Sequence, residues 1–154
     1  MAKVEVEVKR DEFKEFYEML ELCNKGIIID NKALIFKSKM SYSISRNVRD
    51  LKSLYQTDVE HSNKILTDYN KVLTVLRDKY RIKNPDGTFS VVKGKEQELE
   101  LEYKSIRETH KVVIDENNKF LDEKEKVSIY MVNNEDFADL PQEIADKLFL
   151  MRSE

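Results

Sequence analysis

From about Ser41 to Tyr80 the chain contains neither glycine nor proline, and Ile44, Val48, Leu51, Tyr55, Ile65, Tyr69, Val72 and Leu76 occupy the a and d positions of one heptad frame. One very long, coiled-coil-like helix is the expected result. The frame is imperfect at its centre, where Asp58 and Ser62 stand, while Val59, Leu66, Leu73 and Tyr80 align one position further round the helix. The apolar seam therefore broadens and rotates past its middle, which predicts packing against several neighbours rather than a regular two-stranded coil. Asn84-Pro85-Asp86-Gly87 is strong turn chemistry and must end the helix. After Gly94, Lys95 to Lys111 reads as a second helix with Leu99, Tyr103, Ile106 and His110 on one stripe. The two predict an antiparallel helical hairpin.

The flanking segments add a small sheet and short helices. Val4, Val6 and Val8 alternate with charged residues, the period of a half-buried strand. Asp11 can cap a helix from about Glu12 to Asn24, with Phe13, Phe16, Tyr17, Leu20 and Cys23 at helical spacing and Gly26 ending it. Ile27 to Phe36 suits two short strands or a strand entering a loop. Val112–Ile114 and Val127–Val132, separated by Asp115-Glu116-Asn117-Asn118, read as strands, and Pro141 to Met151 as a closing helix. The expected fold class is α+β, mostly α: one very long helix in an antiparallel hairpin, a small antiparallel sheet and short terminal helices.

At 154 residues the chain fits a single domain, 1–154, in three sections: a strand/helix/strand section 1–39, the helical hairpin 40–111, and a β segment with C-terminal helix 112–154. Charged residues make up 37%, with only three glycines and two prolines, which favours long solvated helices over a sandwich of short strands. The net charge of −3 provides no broad drive towards nucleic acid, which is disfavoured as a partner. Cys23 stands alone, so neither an intrachain disulfide nor a cysteine metal site is expected. The opening residues lack the apolar region of a signal peptide, and no run approaches the roughly 20 apolar residues of a membrane span. A cytoplasmic protein with no membrane partner is expected.

Chemistry-bearing constellations are sparse. His61 and His110 lack metal-ligand spacing, and Asp58 one turn before His61 reads more simply as part of a solvated helix face. Gly94-Lys95 lacks the leading glycine and spacer of a phosphate loop. The carboxylates of Glu96, Glu98, Glu100 and Glu102 fan round a helix and meet no base. No catalytic residue, metal or cofactor is assigned. Ser45, Arg46, Asn47, Arg49 and Lys52, near the positive end of the long helix, form a candidate docking site for an anion or acidic partner. The alternative is pairing of Arg46 and Arg49 with Asp50 or other acidic neighbours. Ser41, Ser43 and Ser45 suit the helix start. Tyr42, Tyr55, Tyr69, Tyr80 and Tyr103 fit packing better than a base-stacking platform.

A 40-residue helix is about 60 Å long and its 17-residue partner only about 25 Å. The uncovered stripe, Val59, Leu66, Tyr69, Leu73, Leu76 and Tyr80, predicts a homo-oligomer.

Ile44-Ser-Arg-Asn47 opening a long charged helix, Tyr80 followed by Lys83-Asn-Pro-Asp-Gly87 and Phe89, the Lys95–Lys111 helix and a closing β segment resemble a family of small tailed-bacteriophage proteins of uncharacterised function. The resemblance spans roughly Ser43 to Met151 and brings no catalytic residues. It implies a non-enzymatic binding protein acting through helical surfaces, favoured as an inhibitor or sequestering protein directed at a host defence factor. A virion or tail assembly accessory is the alternative, and a nucleic-acid-binding accessory the second.

Overall fold

The structure is a computed structural model that describes residues 3–153. Contacts divide the chain into two compact units, one of residues 3–59 and 121–153, the other Glu60–Phe120.

In the first unit, strand β1 (Lys3–Lys9) pairs antiparallel with β6 (Lys124–Tyr130), in register from Lys3 opposite Tyr130 to Lys9 opposite Lys124. Val4, Val6 and Val8 thus share a face with Ile129, Val127 and Glu125. Helix α1 (Arg10–Lys25) follows β1 directly and buries Phe13, Phe16, Tyr17, Leu20 and Cys23, the stripe its spacing predicts. Asp11 is not its cap. It lies inside the first turn, where its carboxylate accepts from the Glu12 N–H at 2.8 Å. Gly26, at φ +106°, ends the helix in a conformation few side chains adopt. Burial pushes the Cys23 thiol up to about 11, and it packs as a small hydrophobe. Helix α2 (Ser38–Ile65) adds Met40, Ile44 and Leu51 to this core.

Strands β2 (Ile28–Ile29) and β3 (Lys32–Ala33) form a hairpin whose turn residues, Asp30 and Asn31, both have positive φ. Asp and Asn tolerate that conformation better than other side-chain-bearing residues, which suits a two-residue hairpin loop. The chain closes with helix α6 (Asn134–Phe137), which the sequence reading did not anticipate. Helix α7 (Gln142–Lys147) and a 3₁₀ turn (Phe149–Met151) stand in place of one Pro141–Met151 helix. Ile144, Leu148 and Met151 are buried.

The second unit corrects the expected fold class. There is no single very long helix in a hairpin: α2 stops at Ile65 and α3 spans Thr67–Tyr80. Leu66 sits between them at φ −95°, ψ 13°, outside the helical well. Its N–H still reaches the Ser62 carbonyl at 3.0 Å, so the helix is redirected rather than severed. The Thr67 hydroxyl bonds back to the carbonyls of Asn63 (2.8 Å) and Lys64 (3.0 Å), a side-chain competition that bends helices. The bend falls where the seam rotates, so each half presents its own apolar face.

Helix α3 packs beside α4 (Glu96–Thr109), joined by a Lys79–Glu102 ion pair of 2.8 Å. Strands β4 (Arg81–Lys83) and β5 (Phe89–Val91) flank the predicted turn, which Gly87 at φ +88° and a 2.7 Å bond from the Asn84 N–H to the Thr88 carbonyl hold closed. Val112–Ile114 is not a strand but the start of α5 (Lys111–Asp122). Val113, Ile114, Asn117 and Phe120 recur at helical spacing, and no glycine or proline lies between Lys95 and Leu140 to break the run. In place of one small sheet there are three separate two-stranded antiparallel sheets among the described residues. No helix among them is long and apolar enough to cross a membrane.

Candidate functional site

The structure puts the five predicted docking residues on one helix but engages most of them internally. Because α2 begins at Ser38, Ser45 lies two turns inside it, beyond the first turn where helix-end dipoles act. Ser41, Ser43 and Ser45 therefore do not cap the helix. Asn47 is fully buried: its amide donates to the Tyr130 carbonyl at 3.0 Å and accepts from the Tyr130 N–H at 2.8 Å. Arg46 lies 5.4 Å from the Tyr42 ring centroid and 5.5 Å from that of Tyr130. Arg49 pairs with Asp50 at 3.0 Å, and Lys3 approaches the same carboxylate at 3.2 Å. Ser45 and Lys52 are exposed.

The predicted oligomer stripe is partly occupied in the same way. Leu76 and Tyr80 are buried, and Val59, Leu66, Tyr69 and Leu73 are half-buried. Tyr69 meets His110 with ring centroids 5.6 Å apart, and Tyr55 stacks on Tyr17 at 4.3 Å. Packing, rather than a row of free rings, takes up these tyrosines.

Two interruptions in otherwise apolar patterns coincide. Asp58 breaks the α2 seam and Glu125 breaks the inward row of β6, and both meet Arg10, whose Nε lies 3.6 Å from Asp58 and 3.1 Å from Glu125. Glu123 pairs with the same guanidinium. The Asp58 and Glu125 side chains are only 12% and 11% exposed. Burial first, then a hydrogen bond and repulsion from Glu125, push the Asp58 carboxyl up to about 7, against the pull of Arg10.

The folded state therefore holds a proton at this pair that the unfolded chain, with an ordinary Asp near 3.8, has released. Stability from this site is greatest at low pH and falls as pH rises towards 7. Between about pH 5 and pH 8 the loss should be on the order of 2 kcal/mol. Asp58→Asn should flatten that slope, as read from urea unfolding at a series of pH values. An unchanged slope in the variant would place the titrating group elsewhere.

No group of three or more His, Cys, Asp or Glu residues that could hold a metal occurs among the described residues. His61 packs on Phe120 at 4.3 Å.

The chain matches no family model, no curated protein and no solved structure. Its own surface therefore has to indicate what it does.

A feature the sequence reading passed over lies along the outward face of α3 and the end of α2. Asn63, Thr67, Asn70, Thr74 and Val75, with Lys71 beside them, line a shallow depression of about 480 Å³. The spacing of four, three and four residues sets the first four on one stripe. The Thr67 and Thr74 hydroxyls bond back to the carbonyls of Asn63 and Asn70, which leaves their methyl groups outward. Val75 is 69% exposed. The legible signal was a run of uncharged polar residues at helical spacing in a highly charged chain.

Proposed function

We propose that this chain is a non-enzymatic binding protein that docks a partner protein on the Asn63–Val75 helical face. The observation carrying this reading is the face's lack of charge: it holds one lysine in a chain that is 37% charged. Depletion of charged residues marks the centres of protein interfaces, whereas a merely solvated helix face would follow the composition of the rest. Following the phage resemblance, the partner is a host factor that the protein inhibits or sequesters.

Capture of the tagged chain from infected host cells tests this. Thr74→Arg combined with Val75→Arg should reduce capture at least tenfold, about 1.4 kcal/mol. Both positions are exposed, so stability should change by no more than about 0.5 kcal/mol. Stoichiometric recovery of the chain in purified particles, with no host protein attached, would replace this reading with a virion accessory role.

A further inference from the structure

We propose that the groove between the end of α3, the β4–β5 hairpin and α4 binds single-stranded nucleic acid, with a base against Phe89 and phosphates on Arg77, Arg81 and Lys83. The groove lies wholly within the unit Glu60–Phe120 and has a volume of about 220 Å³. Tyr80, Leu99 and Tyr103 line it from the helices, and Phe89, 55% exposed, lines it from the hairpin. Arg81 stands opposite Val91 and Lys83 opposite Phe89, so these four side chains share one face of the hairpin. Arg77, one helical turn before Arg81, lines the same groove.

Local charge runs against that of the whole chain. From Arg77 to Lys95 stand six cations, at 77, 79, 81, 83, 93 and 95, against the carboxylates of Asp78 and Asp86, in a chain of net charge −3. Arg77 and Lys83 make no ion pair among the described residues. The neighbouring carboxylates are mostly engaged: Glu102 by Lys79, Glu98 by Lys95, Glu100 by Arg107, and Asp86 by the N–H and hydroxyl of Thr88. Glu96 has no such partner, but it sits in the first turn of α4, where the helix dipole favours it. Asp78 holds Arg81 at 3.1 Å in a pair exposed on both sides, which a phosphate can exchange at little cost. The Arg81 guanidinium lies over the Phe89 ring, its Cζ 4.3 Å from the centroid, and bases stack on such rings and guanidinium planes. An acidic peptide would satisfy the arginines but leave the ring in water. A nucleotide brings a planar base and a phosphate in one unit, and a groove of this size admits an unpaired base but not a stacked duplex.

The experiment is fluorescence anisotropy of a labelled oligothymidine, about 12 nucleotides long, titrated with the full chain. At about 50 mM salt binding should saturate, and its log–log dependence on salt should have a slope near −2, about 0.7 for each of three phosphates. Phe89→Ala should weaken binding about tenfold and leave the slope unchanged. Phe89→Leu, which keeps an apolar contact for Arg81, should weaken it nearly as much. Arg77→Gln combined with Lys83→Gln should reduce the slope to about −0.7. All three positions are exposed, so the denaturant midpoints of these variants should stay close to that of the wild type. Absence of saturable binding, wild-type affinity in Phe89→Leu, or equal affinity for a duplex of the same length would overturn the proposal. Displacement of the oligonucleotide by polyglutamate at equal charge concentration would do the same, and would reassign the groove to an acidic peptide.

Discussion

Replacing Arg10 with methionine should destabilise the unit built on β1, α1, the first part of α2 and β6 by about 3 kcal/mol at pH 8. The guanidinium is the cation shared by Asp58, Glu125 and Glu123. Methionine keeps much of the aliphatic stem but leaves the Asp58 and Glu125 carboxylates facing each other in a mostly buried site with nothing to offset them. The loss should shrink at pH 5, because Asp58 then carries a proton and no longer adds its charge to the site. Adding Asp58→Asn to Arg10→Met should recover part of the loss at pH 8. Chemical unfolding of the single and double variants at both pH values measures each term. A loss under 1 kcal/mol at pH 8 would mean that water, not Arg10, holds these carboxylates.

Asn47→Ala should lower stability by a similar amount, about 3 kcal/mol, for a different reason. Among the described residues strand β6 pairs with one other strand, β1, and Asn47 supplies both a donor and an acceptor to the backbone of Tyr130. One carboxamide thus stands in for one residue of a third strand. Alanine leaves the Tyr130 N–H and C=O without these partners and opens a small void, and each unmet group costs about 1–1.5 kcal/mol. Denaturant midpoints of the purified variant check this. A change within 0.5 kcal/mol would release Asn47 from its structural role and return it to the pool of ligand-binding candidates.

Asn47 and Asp58 show where the sequence was legible and where it was not. Strand β1 and helix α1 follow from simple periodicity, because each buries one face against one core. The heptad frame of α2 and α3 was also readable, including the defect at Asp58 and Ser62. Its consequence was not. A helix without glycine or proline was expected to continue through the rotation of its seam, but the Thr67 hydroxyl and the change of apolar face redirect it at Leu66. The Arg46–Arg49 cluster misled because its partners are remote in sequence. Tyr130 lies 83 residues from Asn47, and no local pattern signals that a polar side chain will complete a strand. Val112–Ile114 misled for the opposite reason, since a short β-branched run is ambiguous until its helical neighbours are counted. The uncharged α3 stripe was present in the sequence all along, but it stood out only once the apolar face of the same helix was known to be partly covered.

Position-specific photo-cross-linking in infected cells tests the proposed binding surface most directly. With benzoylphenylalanine at Val75, the uncharged α3 face should yield a discrete adduct with a host protein, and Thr74→Arg should abolish it. The same probe at Arg49, where the side chain is engaged with Asp50, should yield none. Adducts at position 49 and none at position 75 would show that the protein binds through the Arg cluster of α2, contradicting the assignment of the α3 face.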